Sequence, residues 1–261
     1  MAHRTESPDH APLDIEPCDR VWRALLVHAV TASGVIVGFL GLEAVINDRP
    51  RSAILLLIAA QVLDGIDGPM ARSWQISKLY PKIDGYALDL VVDYVTCVVV
   101  PVAFLHHFEL LPSGLSVAIS ALVLFTSALW FCRTDMMTED HWFRGFPATW
   151  NLVAPSFFLL GTGQHFNAVV VIALAVAQLT DLPFAHPVQV AERRAMNLAV
   201  TVAWIVAMAG ATIVWPDTNV VFRVLLVAAP LWTLIATIEK AFQQRSGTRL
   251  ALAEARTGRS H

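Results

Sequence analysis

Eight apolar stretches, each about 20 residues long, follow one another along the chain and limit what it can fold into. A helix of about 20 residues crosses the hydrocarbon core of a bilayer, and a segment inside lipid must satisfy its own backbone hydrogen bonds. The pattern therefore predicts an all-α fold, a polytopic membrane helical bundle with about eight transmembrane helices. The stretches span 24–46, 50–68, 86–105, 114–132, 147–163, 166–184, 197–215 and 220–238.

The composition agrees with a membrane protein. Apolar residues make up 56% of the chain and charged residues 15%, whereas soluble proteins have about 45–50% and about 25%. The apolar composition makes membrane lipids the expected surroundings. The net charge of −3 gives no reason to expect a nucleic acid as a partner. The three cysteines lie far apart and fit neither a disulfide framework nor a zinc site.

The distribution of Lys and Arg predicts the orientation in the membrane, because cytoplasmic loops carry an excess of these residues. With a cytoplasmic N-terminus, 15 of the 18 Lys and Arg residues lie on the cytoplasmic side. An even number of spans then places both termini in the cytoplasm. We expect a cytoplasmic tail over 1–20, a membrane domain over 21–240 and a second cytoplasmic tail over 241–261.

Four aspartates lie where the second apolar stretch ends and the third begins. On helices, Asp64 and Asp67 are i,i+3 neighbours, and Asp89 and Asp93 are i,i+4 neighbours. Adjacent antiparallel helices bring these two ends together. An unpaired charge at membrane depth costs about 2.5–3.5 kcal/mol or more, and four close carboxylates also repel one another. A hard divalent ion with oxygen ligands resolves both problems, and Mg²⁺ is the first expectation.

Small residues and one arginine accompany the aspartates. Gly68 and Gly85 stand beside the carboxylates and leave room for a ligand, and Ala71 is small at the next turn. Arg72 supplies a planar fork that suits a diphosphate. Together these residues predict a site for a nucleotide diphosphate. Intramembrane acids also mark ion pathways and proton relays, so an ion-coupled transporter is the alternative from a different class.

The run Asp-x2-Asp-Gly-x2-Ala-Arg, followed after a spacer by Gly-x3-Asp-x3-Asp, resembles the signature of the CDP-alcohol phosphotransferase family. All eight fixed positions match: Asp64, Asp67, Gly68, Ala71, Arg72, Gly85, Asp89 and Asp93. The resemblance implies that Asp64, Asp67 and Asp89 bind two divalent ions, Mg²⁺ or Mn²⁺. It implies that Asp93 is the general base and also contacts a metal. The CDP moiety would be lined by Asp64, Gly68, Ala71, Arg72 and Gly85, and the enzyme would be a homodimer.

Further stretches are similar to the bacterial branch of this family that uses choline as the acceptor alcohol. They are 28–34, 67–69, 93–94 with 100–101, 143–147 with 150–151, and 186–188, and the resemblance covers roughly 24–236. It implies an enzyme of the bacterial inner membrane, active at the cytoplasmic face, that condenses CDP-diacylglycerol with choline. Serine, inositol or glycerol phosphate as the acceptor is the alternative within the family.

A choline site needs a surface for a quaternary ammonium, which favours aromatic faces. Tyr94 directly follows Asp93, and Trp142 and Trp150 belong to the next cytoplasmic loop and its end. We expect these three residues to bind choline, although Trp and Tyr also gather at membrane interfaces without any ligand. His28, inside the first stretch, is expected to form a hydrogen bond between helices.

Overall fold

The computed structural model describes the backbone of residues 17–73, 82–187, 189–191 and 193–257. It describes the side chains of these residues except 17–20, 67–73 and 247–257.

The first two helices form a hairpin. Helix α1 spans Pro17–Ile46 and α2 spans Pro50–Ser73. Both begin with proline, whose fixed φ suits the first helical position. The turn between them has Asp48 in the left-handed region, at φ 54°.

The third helical span consists of three pieces without a break. Helix α3 covers Gly85–Asp93, a π-helical turn covers Tyr94–Val99, and α4 covers Val100–His107. The Asp84 side chain caps α3 by accepting from the backbone N–H groups of Tyr86 and Ala87, at 3.0 and 3.1 Å. The π-helical turn ends at Val99, two residues before Pro101, which has no N–H for an α-helical hydrogen bond.

Three shorter helices follow, and a small sheet interrupts them. They are α5 (Ser116–Phe131), α6 (Trp150–Leu160) and α7 (Gln164–Gln178). Helix α6 lies in the core, since nine of its 11 residues are buried. It is followed by Gly161, whose φ of 65° is the left-handed conformation common after a helix. Strands β1 (Trp142–Arg144) and β2 (Pro183–Ala185) pair antiparallel, with Phe143 opposite Phe184.

Two long helices complete the described chain, α8 over Arg194–Val214 and α9 over Val220–Thr257. Helix α9 continues through residue 240, where the sequence suggested a tail. Residues 241–257 are polar but rich in helix formers such as Ala, Leu, Gln, Glu and Arg, so the helix can extend beyond its apolar part.

The chain is mostly helical, as expected, and each of the eight apolar stretches overlaps a helix. Among the described residues, four segments are long and apolar enough to cross a membrane: Val21–Ile46, Gly85–His107, Arg194–Val214 and Val220–Ser246. Helices α5, α6 and α7 are apolar but shorter. Many large apolar side chains are exposed on the long helices, as lipid contact allows; Phe39 and Ile213 are examples.

The helices define two ends of the bundle. Helix α1 runs parallel to α3, because Gly34 lies against Val92 and Gly38 against Thr96. It runs antiparallel to α2, to which a three-residue turn joins it. We call the end with residues 47–49 the turn end. The opposite end is the loop end. It holds the last part of α2, the start of α3 and the loops that contain β1 and β2, which contact each other through the sheet.

Candidate active site

Three of the four predicted aspartates meet at the loop end of the bundle. Asp64 comes from α2, and Asp89 and Asp93 come from one face of α3. One carboxylate oxygen of each lies within 4.8 Å of those of the other two, and all three residues are half-buried. The juxtaposition follows from the hairpin, since α2 returns to the level where α3 begins.

The donor set suits a hard divalent cation. All the ligand atoms on offer are carboxylate oxygens, which Mg²⁺ and Mn²⁺ prefer over softer ligands. Oxygen atoms spaced within 4.8 Å of one another can surround one ion whose bonds to oxygen are about 2.0–2.6 Å long, after small side-chain rotations. The cluster could therefore hold a metal ion.

A chain of two amides leads from α6 to the aspartate on α2. Asn151 Nδ2 donates to Gln61 Oε1 at 2.7 Å, and Gln61 Nε2 donates to Asp64 Oδ2 at 3.1 Å. Asn151 is 2% exposed and Gln61 is half-buried. The carboxylate of Asp64 is thus hydrogen-bonded to a group that the protein core holds in place.

Gly85, the first residue of α3, lies against the imidazole of His28. A Cβ at position 85 would be 3.0 Å from His28 Cε1 and 3.5 Å from Nδ1. His28 is 6% exposed, and its Nε2 has no hydrogen-bond partner among the described residues. The interhelical hydrogen bond expected of this histidine is absent at that atom. Since Gly85, Asp89 and Asp93 share a face of α3, the imidazole lies on the side of the carboxylates.

Four of the predicted site residues lie in α2, one to two turns beyond Asp64, where the structure describes the backbone alone. They are Asp67, Gly68, Ala71 and Arg72. Their side chains lie outside the described residues, so their parts in metal and CDP binding stay predictions.

The three aromatic candidates for choline binding have different surroundings. Tyr94 is half-buried; its hydroxyl donates to the carbonyl of Leu124 at 3.0 Å, and its ring meets that of Phe131 edge-on. The ring of Trp142 is buried and has Lys240 Nζ 5.1 Å from its centroid. Trp150 is 0% exposed and donates from Nε1 to Ser127 Oγ at 3.0 Å.

Ion pairs tie the loops of this end to each other and to α9. Arg133 bridges Asp135 and Asp181, at 2.9 and 2.7 Å. Lys240 pairs with Asp140 at 2.8 Å, so α9 is joined to the loop before β1. The hydrogen bond from Arg133 lowers the pKa of Asp135, and those from Lys240 and Thr138 lower the pKa of Asp140. These loop carboxylates are therefore charged at neutral pH and balance the nearby cations.

Gln61 and Asn151 had no role in the sequence analysis. A signal existed for Gln61, a polar residue one helical turn before Asp64 on the same face. Asn151 lies in one of the stretches that carry the family resemblance, but its partner is 90 residues away. No local pattern can predict such a contact.

The fold and the site define a multi-pass membrane protein with an acidic centre suited to a metal ion. No family model matches the chain. The chain is 38% identical to the phosphatidylcholine synthase of Pseudomonas aeruginosa, over 75% of this chain and 82% of that protein. It is 36% identical to the phosphatidylcholine synthase of Mesorhizobium japonicum, covering 70% and 68% of the two chains. For the phosphatidylcholine synthase of Brucella melitensis, the identity is 32% and the coverage 82% and 73%.

Identities at this level over most of both chains show common descent. The chain belongs to the bacterial phosphatidylcholine synthase family. It is accordingly an enzyme, a phosphatidyltransferase, and the resemblance seen in the sequence is confirmed.

Proposed function

We propose that this enzyme condenses CDP-diacylglycerol with choline, giving phosphatidylcholine and CMP. The cluster of Asp64, Asp89 and Asp93 carries the proposal, because it lies at one end of helices that are apolar enough to cross a membrane. There a lipid can keep its acyl chains in the bilayer while its diphosphate meets a water-soluble alcohol. The names of the relatives support choline as that alcohol over serine, inositol or glycerol phosphate.

The aspartates would hold two divalent ions, Mg²⁺ or Mn²⁺. Asp64, Asp67 and Asp89 are the principal ligands in this proposal, and Asp93 also contacts one ion. When bound, the ions neutralise negative charge on the diphosphate and on the departing CMP. The all-oxygen donor set of the three described aspartates supports this assignment.

Asp93 is the general base of the proposed reaction. Its carboxylate takes the proton of the choline hydroxyl, and the choline oxygen forms a bond to the phosphorus that bears diacylglycerol. The bond from that phosphorus to the oxygen of CMP breaks, and CMP leaves with the electron pair. Holding both reactants in line supplies much of the rate, so no covalent enzyme intermediate is needed. The position of Asp93 at the inner end of the cluster, one turn beyond Asp89, suits this role.

The remaining site residues bind the two substrates. Gly68, Ala71, Arg72 and Gly85 would line the CDP moiety together with Asp64, with the guanidinium on the diphosphate. Tyr94, Trp142 and Trp150 are the proposed aromatic residues for choline. Of these, Tyr94 is the candidate next to Asp93 and keeps part of its surface accessible.

The proposed topology has eight crossings, with both termini and the loop end in the cytoplasm. Helices α5 to α7 are short for a full crossing, but α6 is surrounded by protein and does not need to match the lipid thickness. The membrane domain covers 21–240 between two cytoplasmic tails, and the enzyme resides in the bacterial inner membrane as a homodimer. The excess of Lys and Arg in the loops of this end supports the orientation.

The test is an assay of the detergent-solubilised protein with CDP-diacylglycerol, labelled choline and Mn²⁺ or Mg²⁺. We expect labelled lipid and CMP in equal amounts, and neither product after chelation of the metal. The substitution Asp89→Asn keeps the size of the side chain but removes a charged ligand, so activity should fall close to background. Thermal unfolding should show that the variant remains folded.

Asp217→Asn is the matched control, because Asp217 is exposed at the turn end, between α8 and α9. It should retain wild-type activity. Near-normal turnover by Asp89→Asn at saturating metal would contradict the metal site. Transfer to serine or inositol in preference to choline would leave the transferase class standing but contradict the acceptor.

A further inference from the structure

The amide chain from α6 to Asp64 has a defined direction. Asn151 Nδ2 donates to Oε1 of Gln61, and Gln61 Nε2 in turn donates to Oδ2 of Asp64. The amide of Gln61 has one oxygen and one NH₂ group, so occupying its oxygen turns its N–H groups toward the aspartate. Asn151 therefore determines which end of the Gln61 amide faces the carboxylate.

The anchor of this chain is rigid. Asn151 lies in the first turn of α6, the helix with nine of 11 residues buried, and next to Trp150, which is fully buried. Because packed side chains have few alternative positions, the Asn151 amide is a fixed reference point. Gln61 is one turn before Asp64 on α2 and transmits that position to the carboxylate.

A purely structural role does not explain this amide. Asn151 Oδ1 is buried and has no hydrogen-bond partner among the described residues, and such an atom destabilises a fold. The side chain is used through its donor end alone. That end leads to a carboxylate of the cluster that could hold a metal.

We propose that Asn151 and Gln61 are positioning residues, which hold the carboxylate of Asp64 in the rotation that binds the divalent cation. Partners of this kind orient metal ligands, and their loss typically weakens metal binding about 10- to 100-fold. The inference rests on the metal dependence proposed above. The first turn of α6, which contributes no aspartate, would thereby help to orient a metal ligand.

The experiment measures Mn²⁺ binding to the full-length protein in detergent without substrate, from the electron paramagnetic resonance signal of free Mn²⁺. In Asn151→Asp the new carboxylate can only accept, so Gln61 turns its NH₂ toward residue 151 and its oxygen toward Asp64. We expect Mn²⁺ to bind about ten-fold more weakly. The Mn²⁺ concentration for half-maximal CMP release should rise by a similar factor, while kcat at saturating Mn²⁺ stays within a few-fold of wild type.

Gln61→Met provides a second variant, because Met matches Gln in length and helix propensity but donates no hydrogen bond. It should weaken Mn²⁺ binding similarly. Asn167→Asp is the matched control. Asn167 is an equally buried amide, in α7 at the turn end, and donates to the carbonyl of Leu110 at 2.9 Å. This variant should lower the melting temperature and leave Mn²⁺ affinity unchanged.

Two results would overturn the inference alone: unchanged Mn²⁺ affinity in folded Asn151→Asp and Gln61→Met, or an equal loss in Asn167→Asp. If the wild-type protein binds no Mn²⁺ and needs no metal, the metal part of the proposed function fails together with the inference. The wild-type measurement therefore distinguishes the two failures.

Discussion

Gly85 and His28 show how one missing side chain shapes the site. The imidazole lies so close to Gly85 that a Cβ there would be 3.0 Å from His28 Cε1. A contact this short forces the neighbour to move by a few tenths of an ångström. His28 is buried and therefore has little room to move. The glycine has a local steric reason in addition to its proposed place beside CDP.

These two explanations predict different results for Gly85→Ala. If the contact with His28 matters, the substitution lowers kcat/KM for CDP-diacylglycerol several-fold, and the loss is smaller when His28 is also replaced by Ala. We expect a coupling energy of at least ~0.5 kcal/mol from the double-mutant cycle, the lower end of what touching residues show. An equal loss with and without His28 would mean that Gly85 only leaves space for the nucleotide.

The aspartates could be predicted from the sequence, whereas the residues that orient them could not. Asp64, Asp89 and Asp93 are charged residues at the ends of apolar stretches, where their cost demands a reason, and their spacing places them on helix faces. The link from Asn151 to Gln61 depends on where α6 packs, and no spacing rule covers 90 residues. That Nε2 of His28 has no hydrogen-bond partner in the described part of the chain is likewise visible only in three dimensions.

At the scale of elements, glycines on α1 set its distance from the third helical span. A Cβ at Gly34 would be 2.6 Å from Val92 Cγ1, and one at Gly38 would be 3.1 Å from Thr96 Cγ2. Small residues let membrane helices approach closely, and the gain is in packing and not in burial from water. Since Val92 precedes Asp93, this contact also fixes the depth at which α3 presents its carboxylates.

We predict that Gly34→Ala destabilises the protein by about 1–3 kcal/mol, because the added methyl overlaps Val92 and the two helices must separate. The additional substitution Val92→Ala removes the overlapping methyl groups and should restore much of the lost melting temperature. Gly114→Ala is the control, since a Cβ at this position meets nothing within 4 Å. A melting temperature that is the same for Gly34→Ala and Gly114→Ala would refute the close contact.

The helices could be predicted from hydrophobicity, but their exact form could not. Each apolar stretch coincides with a helix because lipid and core both demand internal hydrogen bonding. The π-helical turn depends on how Pro101 and the preceding turns fit between α1 and α5, which hydrophobicity does not report. Strands β1 and β2 have three residues each, too few for an alternating pattern to stand out.

At the scale of the whole molecule, the candidate active site lies at the loop end. The aspartate cluster, the two-amide chain and the ion pairs of Arg133 and Lys240 all lie there. So does the ion pair between Arg193 and Glu239, at 2.7 Å. Between the two ends, apolar side chains cover the long helices. In the proposed reaction, this division would let a lipid diphosphate reach the carboxylates from the bilayer while a small polar alcohol reaches them from water.

A comparison of choline with ethanolamine as the acceptor alcohol tests the proposed aromatic site. Choline carries a trimethylammonium group that has no N–H to donate and favours aromatic faces, with cation–π contacts of about 0.5–2 kcal/mol. Ethanolamine has the same hydroxyl but an ammonium that donates hydrogen bonds and is better solvated. The wild-type enzyme should therefore use choline at least roughly ten-fold more efficiently than ethanolamine, measured as kcat/KM.

Tyr94 is the aromatic candidate through which this preference can be examined. It follows Asp93 directly and is half-buried, whereas Trp150 has no accessible surface and Trp142 lies under Lys240. Tyr94→Leu removes the ring face and should raise the KM for choline roughly ten-fold, with the KM for CDP-diacylglycerol unchanged. Tyr94→Phe keeps the ring and loses only the hydrogen bond to the carbonyl of Leu124, so it should lower the melting temperature and spare the choline KM.

Trp150→Leu separates ligand binding from packing in the same series. Its ring fills the core between α5 and α6 and donates to Ser127 Oγ, so its loss should lower the melting temperature by several degrees. If Trp150→Leu raises the choline KM and Tyr94→Leu does not, the choline site lies on the α6 side of the cluster. If neither substitution changes it, the quaternary ammonium is held by another group, and Trp142 is the remaining aromatic candidate to substitute.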